Sequence, residues 1–188
     1  QDFKNIILAP YLHNDTLELF VVSDSLKPLK LRVNVQLLDF YGQSKMKSTF
    51  TLETEPNSSR CIYQKPVAEI LAAYDPGRHF LYAELELNDT IIDARTILFG
   101  KPKNIDLGAS NFYSKYNETK EGCEIILKST VLIKSVYIEP LKEGELSENF
   151  FDLIPGKEKR IIFKSRENLD IPPNYFKYKT LNEILNEY

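Results

Sequence analysis

A strict alternation of apolar and polar side chains is the feature that most constrains how this chain can fold. Every second residue from 29 to 37 is apolar, with lysine, arginine, asparagine and glutamine between them. The same period of two governs the positions of Leu17, Leu19 and Val21 and of Leu81, Ala83, Leu85 and Leu87, although the residues between them include Phe20, Val22, Phe80 and Tyr82 as well as polar ones. Because successive side chains of a strand point to opposite faces, this pattern predicts strands with one buried face and one wet face.

The remaining patterns of the first half complete one β-sandwich. Further strands are predicted at residues 45–53, 61–64 and 91–99, and Asn88-Asp89-Thr90 marks a hairpin turn before the last of them. One short helix is predicted after Pro66, where apolar residues recur at helical spacing: Val67, Ile70, Leu71 and Tyr74. About seven short strands in about 100 residues are typical of an immunoglobulin-like sandwich.

A change in composition at residues 100–104, Gly-Lys-Pro-Lys-Asn, predicts a boundary between two domains. We therefore expect one immunoglobulin-like sandwich over residues 1–101 and a smaller terminal one over residues 102–188. The second half has fewer predicted strands, at residues 124–129, 134–139, 150–153, 159–164 and 175–179.

The chain is predicted to end in a short helix. Thr180 and Glu183 have the spacing of a capping box, and an apolar stripe follows: Leu181, Ile184, Leu185 and Tyr188. We expect this stripe to dock on the second sandwich. The predicted fold class is all-β, two tandem immunoglobulin-like β-sandwich domains with a short C-terminal helix.

Charge and composition argue against several classes of protein. The 24 basic and 27 acidic residues are well mixed, and the net charge of −3 argues against nucleic-acid binding. No stretch approaches the roughly 18 apolar residues of a membrane span. Cys61 and Cys123 fall in different predicted domains, so no disulfide is expected between them. Gln1 is not an initiator residue, so we expect a fragment or a processed product.

Three stretches resemble one family of enzymes. Residues 147–165, SENFFDLIPGKEKRIIFKS, are similar to the terminal sandwich of β-mannosidases of glycoside hydrolase family 2. Residues 98–107, LFGKPKNIDL, resemble the linker into that sandwich, and residues 75–87, DPGRHFLYAELEL, resemble the sixth strand of the sandwich before it. Residues 169–174, which contain Pro172-Pro173, depart from the family's pattern and raise the question of whether the terminal sandwich is complete.

The resemblance implies an accessory role for this chain. Family members place two catalytic glutamates on a (β/α)8 barrel upstream of these sandwiches, so no catalytic, cofactor-binding or metal-binding residue is expected here. The implied partner is that barrel in the same polypeptide, and the implied parent reaction is retaining hydrolysis of terminal non-reducing β-mannose. The resemblance also implies a secreted parent, periplasmic or extracellular in a bacterium.

Carboxylates and histidines form no catalytic or metal-binding pattern. Glu84 and Glu86 share one strand face, but we expect a flat wet surface with nothing to raise one pKa. His13 and His79 are the only histidines, and neither has the three or four convergent ligands that a metal needs. Four Asn-X-Ser/Thr sequences are interpreted as turns and not as glycosylation sites: Asn14, Asn57, Asn88 and Asn117.

Four aromatic residues are the candidate contact sites. Phe80 and Tyr82 share the predicted wet face with the two glutamates, which indicates docking against the barrel or a neighbour, or stacking against a sugar. Partial burial under a loop is an equally good interpretation. Phe150 and Phe151 are expected to point to opposite faces, one into the core and the other toward a domain interface or a sugar.

Three functions therefore compete. The chain is a structural accessory region that packs on the barrel, a carbohydrate-binding sandwich that holds mannan-type glycans on aromatic rings, or a free-standing enzyme. The absence of Trp weighs against the second function. The lack of an activated acid/base pair weighs against the third.

Overall fold

The computed structural model describes residues 6–120, 122–165 and 175–186. Within them most of the regular structure is β-strand, and the strands form four antiparallel sheets. The all-β prediction is confirmed. The chain divides into two compact units, residues 1–39 with 43–105, and residues 40–42 with 106–188.

The first unit contains a three-stranded and a four-stranded sheet. Its strands are β1 Ile6–His13, β2 Thr16–Ser23, β3 Lys30–Asp39, β4 Ser44–Glu53, β5 Ser58–Pro66, β6 His79–Leu87 and β7 Thr90–Leu98. One sheet has the order β1-β2-β5, and the other has the order β4-β3-β6-β7. The predicted helix is α1, Val67–Leu71, which follows β5 directly.

The alternating residues of both sheets meet in one core. β2 buries Leu17, Leu19 and Val21, while the side chains between them stay half-buried. The apolar positions of β3 and β6 lie in the same cluster, so one core holds residues that are far apart in the chain. This burial is the main stabilising contribution, because each fully buried large apolar side chain adds roughly 1.5–3 kcal/mol.

Side chains of β7 close the edge of the unit at β1. Asp93 Oδ2 accepts a hydrogen bond from the Leu8 N–H at 2.7 Å, and Arg95 Nε donates to the Leu8 carbonyl at 3.0 Å. These groups of Leu8 would otherwise be unpaired, because β1 is an edge strand. Pro10 is tolerated in the same strand for the related reason that an edge position needs no N–H for the ladder.

Two tight hairpins in this unit use the same turn chemistry. Asn14-Asp15 and Asn88-Asp89 have φ values of 47° and 55°, and 50° and 59°. A two-residue turn whose twist suits a hairpin needs positive φ at both positions, which Asn and Asp tolerate well. The hairpin predicted at Asn88-Asp89-Thr90 is therefore confirmed, since β6 pairs with β7 across it.

The second unit has more strands than its sequence predicts. They are β8 Phe112–Thr119, β9 Gly122–Ser129, β10 Ile133–Pro140, β11 Gly144–Leu146, β12 Phe151–Leu153, β13 Glu158–Ser165 and β14 Phe176–Lys179. The sheet orders are β11-β13-β9-β8 and β12-β10-β14. The expectation of fewer strands is wrong, because the described part of each unit has seven. The departure at residues 169–174 lies outside the described residues.

The terminal helix, α2 Leu181–Asn186, begins at the predicted capping box. The Thr180 N–H donates to Glu183 Oε2 at 3.1 Å, and the Glu183 N–H donates to Thr180 Oγ1 at 3.3 Å. Of the predicted apolar stripe, Leu181 and Leu185 are half-buried and Ile184 is exposed, whereas Tyr188 lies outside the described residues. No helix among the described residues is long and apolar enough to span a membrane.

Asn182 is a buried polar anchor of this helix. Its side chain is fully buried, and its Oδ1 accepts a hydrogen bond from the Lys134 N–H at 2.9 Å. Its Nδ2 donates to the Leu132 carbonyl at 3.0 Å and lies 3.3 and 3.4 Å from the carbonyls of Leu107 and Gly108. One amide therefore satisfies buried backbone groups of two distant segments, a role that helical periodicity does not reveal.

Both cysteines are free thiols, as expected. Cys61 is exposed on β5, whereas Cys123 is fully buried on β9. Burial raises the pKa of the Cys123 thiol to about 11. Because the thiolate is the reactive form, Cys123 is protected from reagents both by its low accessibility and by its protonation.

Candidate functional surfaces

No cluster of metal-ligating side chains is present within the described residues. His13 stacks on Tyr11, with 5.8 Å between the ring centroids. His79 Nδ1 lies 2.9 Å from the Asp75 carbonyl, and its ring also contacts Tyr74. Each histidine is therefore engaged by residues close to it in sequence and not by further ligands.

The predicted flat wet surface around Glu84 and Glu86 is a wrong expectation. Glu84 is buried and accepts a hydrogen bond from the Tyr82 hydroxyl at 2.9 Å. Glu86 accepts hydrogen bonds at 2.6 Å from Arg32 Nε and from Asn34 Nδ2. These carboxylates are held as acceptors by neighbouring donors, an arrangement that fits a structural role and not proton transfer.

Phe80 and Tyr82 are also buried, which contradicts the interpretation as an exposed contact surface and supports the alternative in which the two rings are covered. β6 is paired on both sides, by β3 and by β7, and both of its faces are covered along most of its length. Period-two alternation identifies which side chains share a face, but not whether that face is covered. Neither ring has an exposed face for a sugar, and a role at a domain interface stays a prediction.

A polar groove of about 440 Å³ lies at the end of the same sheet, beside Arg32. The Arg32 guanidinium is 2.6 Å from Glu86 and 2.6 Å from Asp89 in the hairpin turn. Hydrogen bonds to these two carboxylates raise the pKa of Arg32. The charged groups are already paired with one another, so we interpret this network as a tie between β3, β6 and their hairpin.

Phe150 and Phe151 point to opposite faces, as predicted. Phe151 is buried in the core of the second unit, whereas 71% of Phe150 is exposed. The backbone of Phe150 has a φ of 59°, a left-handed conformation that is uncommon for a bulky residue. Asn149 lies just before it and binds β10 through both ends of its amide, accepting from the Ile138 N–H at 2.8 Å and donating to the Ile138 carbonyl at 3.0 Å.

Tyr137 lies beside Phe150 and was missed by the sequence reasoning. The two ring centroids are 5.0 Å apart and the ring planes are inclined by 33°; we call these residues the ring pair. Tyr137 occupies β10 between the buried residues Val136 and Ile138, so alternation does place it on the outer face. Its proximity to Phe150 depends on the pairing of β10 with β12, which no local pattern indicates.

Charged residues of both signs flank the ring pair. Lys179 lies 5.9 Å from the Tyr137 ring centroid and 3.4 Å from Glu139. The Lys134–Asp152 ion pair, at 2.6 Å, joins β10 to β12 on the same sheet. Charged groups therefore lie beside the Tyr137 member of the ring pair.

A second surface differs in character. Four outward side chains near the start of β1 and the end of β2 are uncharged: Ile7, Ala9, Phe20 and Val22; we call them the apolar face. Glu18 occupies the next outward position of β2 and bounds this face with a charge. β1 and β2 pair Ile7 with Val22 and Ala9 with Phe20, which makes these side chains neighbours. Ile7 is 40% exposed and the others are half-buried. The outer face of a sandwich sheet is normally polar, so a contiguous apolar strip indicates a contact surface.

Similar folds occur in solved structures of much larger enzymes. A β-D-mannosidase from Dictyoglomus thermophilum matches with a TM-score of 0.81 and 21% identity, over 95% of this chain and 22% of that chain. An exo-chitosanase from Amycolatopsis orientalis matches with a TM-score of 0.65 and 12% identity, over 93% of this chain and 25% of that chain. This chain thus spans about a quarter or less of the length of either enzyme. A search of curated proteins found no significant match.

Models of protein families cover both units. Residues 15–104 match the model of the Mannosidase Ig/CBM-like domain, and residues 107–184 match the model of an Ig-fold domain. The resemblance to mannosidase sandwich domains is thereby confirmed. The chain is a tandem of two immunoglobulin-like domains, the first belonging to the Mannosidase Ig/CBM-like domain family and the second to the Ig-fold domain family.

Proposed function

We propose that this chain is the non-catalytic C-terminal region of a family 2 glycoside hydrolase, a β-mannosidase, and that it packs on an upstream catalytic barrel. The observation that carries the proposal is the match over 95% of this chain to only 22% of a β-mannosidase, together with the tandem of family domains. The rest of such an enzyme has room for a catalytic domain that these sandwiches would support.

The parent enzyme would hydrolyse terminal, non-reducing β-mannose. A retaining mechanism needs two carboxylates roughly 5–5.5 Å apart, one as nucleophile and one as acid/base. Glu84 and Glu86 are instead engaged by Tyr82, Arg32 and Asn34, which supports placing the chemistry on another domain. We further propose that the parent is exported to the periplasm or the medium of a bacterium.

The apolar face of the first unit is the surface we propose for this packing. Its charge-free side chains match the composition of the buried centre of protein interfaces, where charged residues are depleted. Ile7 and Val22 lie at adjacent register positions, so a partner surface would contact both strands at once. Covering these side chains would remove apolar area from water and stabilise the two domains together.

The complete parent protein, expressed from its full open reading frame, provides the test. Ile7→Glu should lower its thermal stability and weaken the attachment of the sandwiches to the barrel, as measured by calorimetry and limited proteolysis. Ile91→Glu is the matched control, because Ile91 is 50% exposed on β7 of the other sheet. Equal effects of the two substitutions would contradict the proposed surface.

Activity assays separate the accessory role from the alternatives. The parent should hydrolyse a chromogenic β-mannoside, and the 188-residue chain alone should give no turnover above the rate without protein. A parent reading frame without an upstream barrel bearing two catalytic glutamates would refute the proposal. Turnover by the isolated chain would favour the free-standing enzyme instead.

A further inference from the structure

We propose that the ring pair, Tyr137 and Phe150, is a sugar-stacking site on the outer face of the β12-β10-β14 sheet and that it takes one pyranose unit of a neutral oligosaccharide. This inference goes beyond the accessory role and does not depend on it. It concerns the second unit, whereas the packing surface proposed above lies on the first.

The stability of the fold alone does not explain why a phenylalanine occupies position 150. The left-handed φ of 59° strains a bulky residue, and a Gly or Asn would adopt it at lower cost. The ring gains little from burial, because 71% of the residue is exposed. A strained backbone with an exposed aromatic ring is the combination that functional sites retain.

Phe150 is nevertheless held in a fixed place. Asn149 Oδ1 accepts hydrogen bonds from the Ile138 N–H and from the Phe150 N–H, at 2.8 and 3.1 Å. Phe151, the next residue, is anchored in the core. The Tyr137 ring supports Phe150 from one side, with 5.0 Å between the centroids. An aromatic ring that is already ordered loses little conformational entropy when a ligand stacks on it.

The surroundings of the ring pair favour a sugar over a protein surface. A pyranose has an apolar C–H face, which suits an aromatic ring, and a rim of hydroxyl groups that need hydrogen-bonding partners. The side chain of Lys179, 5.9 Å from the Tyr137 ring centroid, is 66% exposed, and that of its ion-pair partner Glu139 is 47% exposed, so both have polar groups open to sugar hydroxyls. The centres of protein interfaces are depleted in charged residues, and the apolar face fits that description whereas the ring pair does not.

The expected binding is weak and tolerant of the particular sugar, because one exposed ring offers a small contact area. We expect a dissociation constant on the order of 1 mM for a β-1,4-linked manno-oligosaccharide. The probe is mannohexaose, with cellohexaose as a second oligosaccharide, titrated into the 188-residue chain and followed by NMR chemical shifts and calorimetry. Shifts should concentrate on residues of the β12-β10-β14 sheet.

Phe150→Gly is the decisive variant. It removes the ring and relieves the positive φ, so it should leave the thermal midpoint unchanged or raise it while weakening oligosaccharide binding at least 10-fold. Phe150→Tyr should keep the binding. Tyr113→Ala is the matched control, because Tyr113 is a 63% exposed ring of the same unit on β8, and it should bind like the unchanged chain.

Several outcomes would overturn the inference. One is that neither oligosaccharide gives saturable chemical-shift changes at a concentration 10-fold above the expected dissociation constant. Another is that Phe150→Gly binds the oligosaccharide as tightly as the unchanged chain. A third is that Phe150→Gly and Tyr113→Ala lose binding affinity equally. A lower thermal midpoint for Phe150→Gly without any loss of binding would show that the ring has a structural role. Loss of barrel attachment in the parent protein without sugar binding would identify the ring pair as a protein contact instead.

Discussion

Replacing Asn182 by alanine should destabilise the second unit strongly, although the residue is polar and lies on a short helix. Its amide is fully buried and bonds the Lys134 N–H and the Leu132 carbonyl at 2.9 and 3.0 Å. Truncation leaves both backbone groups without this partner, and an unsatisfied buried group costs about 1–3 kcal/mol. We expect a loss of about 3 kcal/mol in the free energy of unfolding, which is a lowering of the melting temperature by roughly 12 °C or more.

A thiol-labelling experiment can assign this loss to the second unit. Cys123 lies fully buried in that unit, and its pKa is raised to about 11, so it reacts only when the unit opens. Cys61→Ser removes the exposed thiol and leaves Cys123 as the reporter. In that background a loss of about 3 kcal/mol should accelerate labelling of Cys123 roughly 100-fold, if opening is in rapid equilibrium.

Two further substitutions test whether the hydrogen bonds are the cause. Ile184→Ala changes an exposed residue of the same helix and should leave the labelling rate within a factor of two or three. Asn182→Asp keeps an acceptor for the Lys134 N–H, but it places a second carboxylate oxygen where the Asn182 amide donated to backbone carbonyls. The free energy of unfolding should therefore fall at neutral pH. It should recover partly at acidic pH, because a protonated carboxyl group can again donate a hydrogen bond. The argument is refuted if Cys123 is labelled at the wild-type rate in Asn182→Ala, or if Ile184→Ala accelerates this labelling as much as Asn182→Ala does.

Three other predictions follow from burial and from the sheet edge. At neutral pH a thiol reagent should modify Cys61 and leave Cys123 intact until unfolding, which peptide mass spectrometry would detect. Burial raises the pKa of Tyr178 above its ordinary value of 10, so the folded state favours the neutral phenol. The free energy of unfolding should therefore fall as the pH rises above about 10, and urea titrations of Tyr178→Phe should show a weaker fall. Asp93→Ala should cost the first unit about 1–2 kcal/mol and speed hydrogen exchange at the Leu8 amide, its partner at 2.7 Å.

Local patterns predicted strands in which every second side chain is a regular core residue. β2 and β3 alternate regularly and bury the predicted residues. The capping box of α2 was readable because both partners, Thr180 and Glu183, lie within one turn. The opposite orientation of Phe150 and Phe151 was also predicted, but Phe150 precedes β12 and has a left-handed backbone, so the two-residue period is not its cause. For the strands and the capping box, the information needed lies within a few residues of the element itself.

The features that the sequence did not predict depend on distant segments. β1 has no alternation at its end and contains Pro10, which suits an edge strand but breaks the pattern of a central one. β8 is too polar to be recognised without its partner β9. The burial of Phe80 requires a cover over the outer face of β6, and the docking of α2 requires backbone carbonyls about 50 and 75 residues away from Asn182. Contacts at such separations leave no periodic signal.

The two candidate surfaces can be separated because their chemistry differs. The apolar face offers uncharged side chains and fits a partner that excludes water over a wide area, whereas the ring pair combines one exposed ring with charged neighbours and fits a small polar ligand. Ile7→Glu should therefore alter attachment in the parent without changing oligosaccharide binding by the second unit. Phe150→Gly should do the reverse. If either substitution changed both properties, one surface would be serving both purposes, and the assignment of a separate ligand to each would have to be abandoned.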